Sequence, residues 1–128
     1  MSSNSSDHGI VIRHNSISIN TAGASSCLAL YRDFGVPYDI LVENNLFNGG
    51  NYGVMCGIDD SGHTWSPTND IRFIDNVFGR EFNAECGFYG PQAQFSNTNG
   101  TGNVWSGKTW GDGAAATVAH SVGSIVNV

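Results

Sequence analysis

Ile10, Ile12, Ile17 and Ile19 alternate with polar residues, the two-residue period of a strand with one buried face. The alternation returns in Ile40 and Val42 and again in Ile71 and Phe73. The segments around these positions resemble one another: residues 10–17 read IVIRHNSI, 40–47 ILVENNLF, 71–78 IRFIDNVF, and a shorter piece at 102–105 reads GNVW. Each holds one asparagine, Asn15, Asn45, Asn76 and Asn103, spaced 30, 31 and 27 residues apart. Self-similarity at such a period marks stacked supersecondary units. Further apolar stretches follow the anchors at residues 27–31 (CLALY), 52–57 (YGVMCG) and 86–90 (CGFYG), so each repeat is predicted to hold at least two strands.

The similar strands lie a full repeat apart, as parallel stacking requires, and are not joined by the tight turns of a hairpin. The expected fold is therefore all-β, a short solenoid of about four coils, with equivalent residues in ladders ~4.8 Å apart. Asn15, Asn45, Asn76 and Asn103 are expected to form one ladder at a corner, where asparagine tolerates left-handed backbone angles and its amide bonds between coils. Ile17, Phe47, Phe78 and Trp105, two residues on, are expected to stack inside. These asparagines are read as structural, not catalytic.

Composition narrows the function. The 128 residues suit one domain, and 40% hydrophobic residues suffice for a core, yet charged residues make up 12%, against ~25% in ordinary soluble domains. A net charge of −6 with five Lys and Arg argues against nucleic acid as a partner. No apolar run approaches the ~20 residues that span a bilayer, so no membrane insertion is expected. Residues 1–7 (MSSNSSD) show no signal peptide, having neither a basic region nor an apolar core.

The chain resembles the right-handed parallel β-helix repeats of the pectate-lyase-like superfamily, as found in actinobacterial secreted proteins and actinobacteriophage tail proteins. The resemblance is carried by residues 10–22 (IVIRHNSISINTA), 42–50 (VENNLFNGG), 75–80 (DNVFGR), 86–91 (CGFYGP) and 102–113 (GNVWSGKTWGDG). It implies a right-handed parallel β-helix over residues 1–113, with residues 114–128 as a tail, cap or oligomer contact. It also implies a virion or extracellular location and, from phage spikes, a homo-oligomer such as a trimer. The superfamily hosts lyases, hydrolases, adhesins and noncatalytic spikes alike, so the fold does not name an activity.

Polygalacturonase-like hydrolases of this fold order an Asp pair, a Gly-His-Gly and an Arg-Ile-Lys. Here Asp59 and Asp60 follow the only comparable histidine, His8, and no Arg-Ile-Lys occurs. Asp59, Asp60, Asp70 and Arg72 remain as catalytic candidates, since paired carboxylates beside a base can do acid–base work on a glycosidic or uronate substrate. Trp65 and His63, in the loop DDSGHTWSPTND at residues 59–70, are candidate ligand-binding residues, an indole being able to stack on a sugar ring. Trp105 and Trp110 are read as a plug on the last coil. Cys27, Cys56 and Cys86 fall at intervals of 29 and 30 residues, near the repeat, which leaves their register open. Their odd number and wide spacing point to free thiols, with no metal or cofactor expected.

Two functions follow. The favoured one is a noncatalytic structural or binding module of a virion (tail, spike or capsid-surface component) or of an extracellular protein, with polysaccharide as a ligand. The alternative is a carbohydrate-active enzyme, a polysaccharide lyase or glycoside hydrolase, on a minimal β-helix. Four coils leave little room for substrate subsites, which favours the first.

Overall fold

The computed structural model describes residues 8–31, 36–58, 68–96 and 100–116. Among these residues the structure is all-β with no helix. The first repeat holds β1 (Ile10–Arg13), β2 (Ser16–Ile19) and β3 (Ser26–Ala29), and the second holds β4 (Ile40–Glu43), β5 (Leu46–Gly49) and β6 (Tyr52–Met55). The third holds β7 (Ile71–Ile74), β8 (Val77–Phe78) and β9 (Gly90–Ala93), and the fourth holds β10 (Val104–Ser106) and β11 (Thr109–Trp110). They form three sheets, ordered β1-β4-β7-β10, β2-β5-β8-β11 and β3-β6-β9. Every ladder is parallel, and each repeat visits the sheets in the same order, an arrangement compatible with a solenoid.

The register stacks like on like. Ile12, Val42, Phe73 and Trp105 form one inward row, and Ile17, Phe47, Phe78 and Trp110 another. The third sheet contributes Leu28, Val54 and Gln92. Both rows begin with isoleucine and end with phenylalanine and then tryptophan. The Phe47 and Phe78 rings are 5.8 Å apart, and Trp105 packs 5.6 Å from Phe73 and 5.4 Å from Phe78. Buried Gln92 keeps its carbonyl satisfied by accepting from the Phe95 N–H at 3.1 Å.

Two corners turn the chain. Before the first sheet sit Gly9, Asp39, Asp70 and Gly102, and between the first and second sheets sit His14, Asn44, Asp75 and Gly107, all with φ between +51° and +72°. Only glycine and residues such as Asn, Asp and His occupy this left-handed region readily, which accounts for the polar residue bounding each strand. The asparagine ladder follows the second corner. Asn45 Oδ1 accepts from the Asn15 N–H at 3.0 Å and from the Asn15 amide at 3.1 Å. Asn76 Oδ1 accepts from the Asn45 N–H and the Asn45 amide, both at 3.0 Å. Asn45 and Asn76 also donate to the carbonyls of Ile12 (3.0 Å) and Val42 (2.8 Å). The left-handed residue is thus the one before each ladder asparagine, not the asparagine itself.

The fourth repeat differs from expectation. Asn103 pairs in register with Ile71, accepting from its N–H at 3.0 Å and donating to the Thr68 carbonyl at 2.8 Å. It therefore lies a strand too early for the ladder. Lys108 holds the fourth ladder position, because Thr109 pairs with Val77. For the same reason Trp110, not Trp105, continues the Phe47–Phe78 row. Lys108 is buried, with Nζ 5.0 Å from the centre of the Trp105 ring. Burial lowers its pKa from 10.5 to about 8, opposed by the Asp75 carboxylate. Beyond β11 the chain folds back, Ala115 bridging antiparallel to Thr109 and the Ala116 N–H reaching the Lys108 carbonyl at 3.3 Å. Of the expected tail, residues 117–128 lie outside the described residues.

Asn45→Ala should cost about 2–4 kcal/mol, because it strands several buried donors and acceptors, whereas Asn15→Ala at the exposed edge should cost less than about 1 kcal/mol. Urea denaturation of both variants checks the contrast; equal losses would show that the ladder does not hold the corner. Lys108→Asn extends the ladder and should gain about 1 kcal/mol at pH 7. The folded pKa lies below the unfolded one, so the wild-type cost is complete below pH 8 and fades between pH 8 and 10.5. Paired thermal melts should show the advantage of Lys108→Asn shrinking over that interval.

Candidate functional site

The connection between the second and third sheets changes length from repeat to repeat. It spans residues 20–25 in the first, only Gly50 and Asn51 in the second, and residues 79–89 in the third. A short turn between two longer ones leaves a groove of about 480 Å³, with Gly50 and Asn51 as its floor. One wall is Asn20, Thr21, Ala22 and Gly23, and the other is Phe82, Asn83, Phe88 and Tyr89.

Backbone bonds hold the walls to the floor. The Gly50 N–H donates to the Ile19 carbonyl at 3.2 Å and the Asn51 N–H to the Ala24 carbonyl at 2.7 Å. From the other side the Phe88 N–H reaches the Gly50 carbonyl at 2.9 Å and the Tyr89 N–H the Asn51 carbonyl at 2.8 Å. Gly87 is required for this approach, since a Cβ there would collide with the Asn51 carbonyl. The floor's main chain is thus consumed, while the side-chain amides of Asn20 and Asn51 make no hydrogen bond to the described residues. Asn83 spends its NH₂ on the Cys86 carbonyl at 3.3 Å and keeps its amide oxygen.

Phe88 is 70% exposed and Tyr89 44%, a high exposure for neighbouring aromatic residues. Their rings meet edge to face at 4.9 Å, and Tyr89 lies 5.8 Å from Tyr52. Burial, and then Tyr89, raise the Tyr52 hydroxyl pKa, keeping it neutral in ordinary buffers. Among the described residues the lining holds no carboxylate, imidazole, ammonium or guanidinium. Aromatic faces beside free amides and a hydroxyl are equipped to bind, and they offer no acid–base pair.

Asp70 and Arg72, the sequence-derived candidates among the described residues, do not line this groove. Asp59, Asp60, His63 and Trp65 lie outside the described residues. Asp70 is an exposed left-handed corner residue whose N–H donates to the Thr101 carbonyl at 2.9 Å. Arg72 donates to the Asp39 carboxylate at 2.9 Å, one repeat away, so it is engaged by the corner before that of Asp70. Residues 86–90, expected as a strand, are mostly groove wall, and the third-sheet strand starts at Gly90. The sequence signal for the wall was present: Phe82, Phe88 and Tyr89 surround Gly87 without strand alternation.

The cysteines settle out of register. Cys27 is level with Gly53, Cys56 follows β6, and Cys86 sits in the wall loop with φ +71°. The Cys86 side chain takes the space beside Gly53, its thiol reaching the Phe47 carbonyl at 3.2 Å. All three are free. Burial raises each thiol pKa, moderately for Cys27, to about 12 for Cys86 and well above the ordinary value for Cys56. Because only the thiolate reacts, iodoacetamide at pH 8 should label Cys27 first and leave Cys56 unmodified in the native protein. Peptide mass mapping reads the order, and early labelling of Cys56 would contradict this packing. Comparisons with protein-family models, curated proteins and solved structures find no match for this chain.

Proposed function

We propose that the chain is a short right-handed parallel β-helix of about four coils, serving as a noncatalytic structural and binding module whose corner groove takes glycan. It would belong to a virion, as a tail, spike or capsid-surface component, or to an extracellular protein. The β-helix reading is supported by three parallel sheets visited in the same order by successive repeats. The virion or extracellular assignment rests on the sequence resemblance. The binding role rests on one observation: Phe88 and Tyr89 stand exposed in a groove where the side-chain amides of Asn20 and Asn51 make no hydrogen bond to the described residues. Such surfaces stack on the apolar faces of sugar rings and bond their hydroxyls.

A homo-oligomer, with a trimer as the expected form, belongs to the same proposal. Among the described residues no strand pairs with the outer edges of β1, β2 and β3, and Ile10, Ile12 and Ile17 are only partly buried. Uncovered parallel edges favour association.

The test is titration of the protein with a mixed glycan panel by NMR, together with assays for new reducing ends and unsaturated products. Saturable binding without cleavage, lost in Phe88→Ala while the fold is retained, is the expected result. Turnover of any panel member would overturn the noncatalytic reading. Light scattering on a sizing column should give a multiple of the 13.6 kDa chain mass, and a monomer would remove the oligomer from the proposal.

A further inference from the structure

The charge distribution around the groove specifies its ligand more closely, resting on the reading of that groove as a glycan site. We infer that it takes a single neutral glycan chain, one sugar ring wide, lying across the repeats' stacking direction, and that it rejects uronates and sulfated sugars.

Width follows from topology. The walls belong to the first and third repeats and the floor to the second, so the walls stand about two strand spacings apart, ~10 Å. That admits one sugar chain between them. The chain must run parallel to the strands, because the walls close the groove along the stack. The volume of about 480 Å³ lies within the range of small-ligand sites.

Neutrality follows from where the cations are. The protein has five Lys and Arg residues and a net charge of −6. Arg13, Arg72 and Arg80 are paired with Glu43, Asp39 and Asp112 at 3.5, 2.9 and 2.7 Å. Lys108 is buried against Trp105 in a different corner; Arg32 lies outside the described residues, and among the described residues no cation lines the groove. A carboxylate or sulfate on the ligand would lose water against Phe88 and Tyr89 with only amides and a hydroxyl in return, and desolvating an unpaired anion is costly. Hydroxyls and N-acetyl groups lose no such charge solvation. They match the side chains of Asn20, Asn51 and Thr21, which can donate and accept in turn.

The test titrates the full chain with an array of neutral oligosaccharides and their anionic counterparts, including α-1,4-galactotriose against trigalacturonate, which differ at C6. Neutral members should bind, with affinity reduced at least tenfold in Phe88→Ala and in Asn51→Ala, and anionic counterparts should bind at least tenfold more weakly. Thr21→Lys, which adds a cation to the exposed wall, should recover much of the anionic binding. Circular dichroism confirms that each variant folds. Anionic members binding as tightly as neutral ones would overturn this inference and leave glycan binding standing. Binding of neither class would overturn both readings.

Discussion

The constraint on which this structure depends is that every repeat must place its strands in parallel register over the last. In a stack of parallel strands the backbone hydrogen bonds run between repeats, so a turn that drifts by one residue would reverse the inward and outward faces of the next strand. The ladder of Asn15, Asn45 and Asn76 resists that drift. The Oδ1 atoms of Asn45 and Asn76 each accept from the main-chain N–H and the side-chain amide of the preceding ladder asparagine, and both buried residues donate to main-chain carbonyls one repeat away. A buried amide with both ends satisfied in a single register penalises every other register by the cost of leaving them unsatisfied.

The interior is built on that register. Rows of equivalent apolar residues end in large aromatics: Ile12 and Val42 are followed by Phe73 and Trp105, and Ile17 by Phe47, Phe78 and Trp110. The two tryptophans fill the end of the stack, where Arg80 lies 4.1 Å over the Trp110 ring and bonds Asp112 at 2.7 Å. The antiparallel return at Ala115 then covers β11. The asparagine ladder ends where these bulky side chains begin, and Lys108 takes the fourth place with its stem buried and its ammonium against an aromatic face.

A stack so regular leaves its individuality to the connections. The first and second sheets are joined by one uniform corner, whereas the connections from second to third sheet differ in length, and the groove is the consequence of that difference. Its rigidity is borrowed from the stack, since bonds from Phe88 and Tyr89 to the Gly50 and Asn51 carbonyls continue the pairing between repeats into the loop. Binding residues on loops held by a rigid scaffold are a common arrangement.

The sequence by itself determined the period, the all-β composition and the parallel pairing of the first three repeats, because strand alternation and a left-handed corner residue are local requirements repeated thirty or so residues apart. The fourth repeat was legible too, but through a different signal. Ile12 and Ile17, Val42 and Phe47, Phe73 and Phe78, and Trp105 and Trp110 are all five residues apart, a spacing that aligns all four repeats where the asparagines align only three. Only the tertiary structure decided which side chains meet across repeats. That Arg72 bonds Asp39, that Cys86 fills the space beside Gly53, and that Phe88 faces Asn20 across Asn51 depends on loop lengths and on stacking. Those are contacts between residues some thirty or more positions apart, which no local pattern encodes.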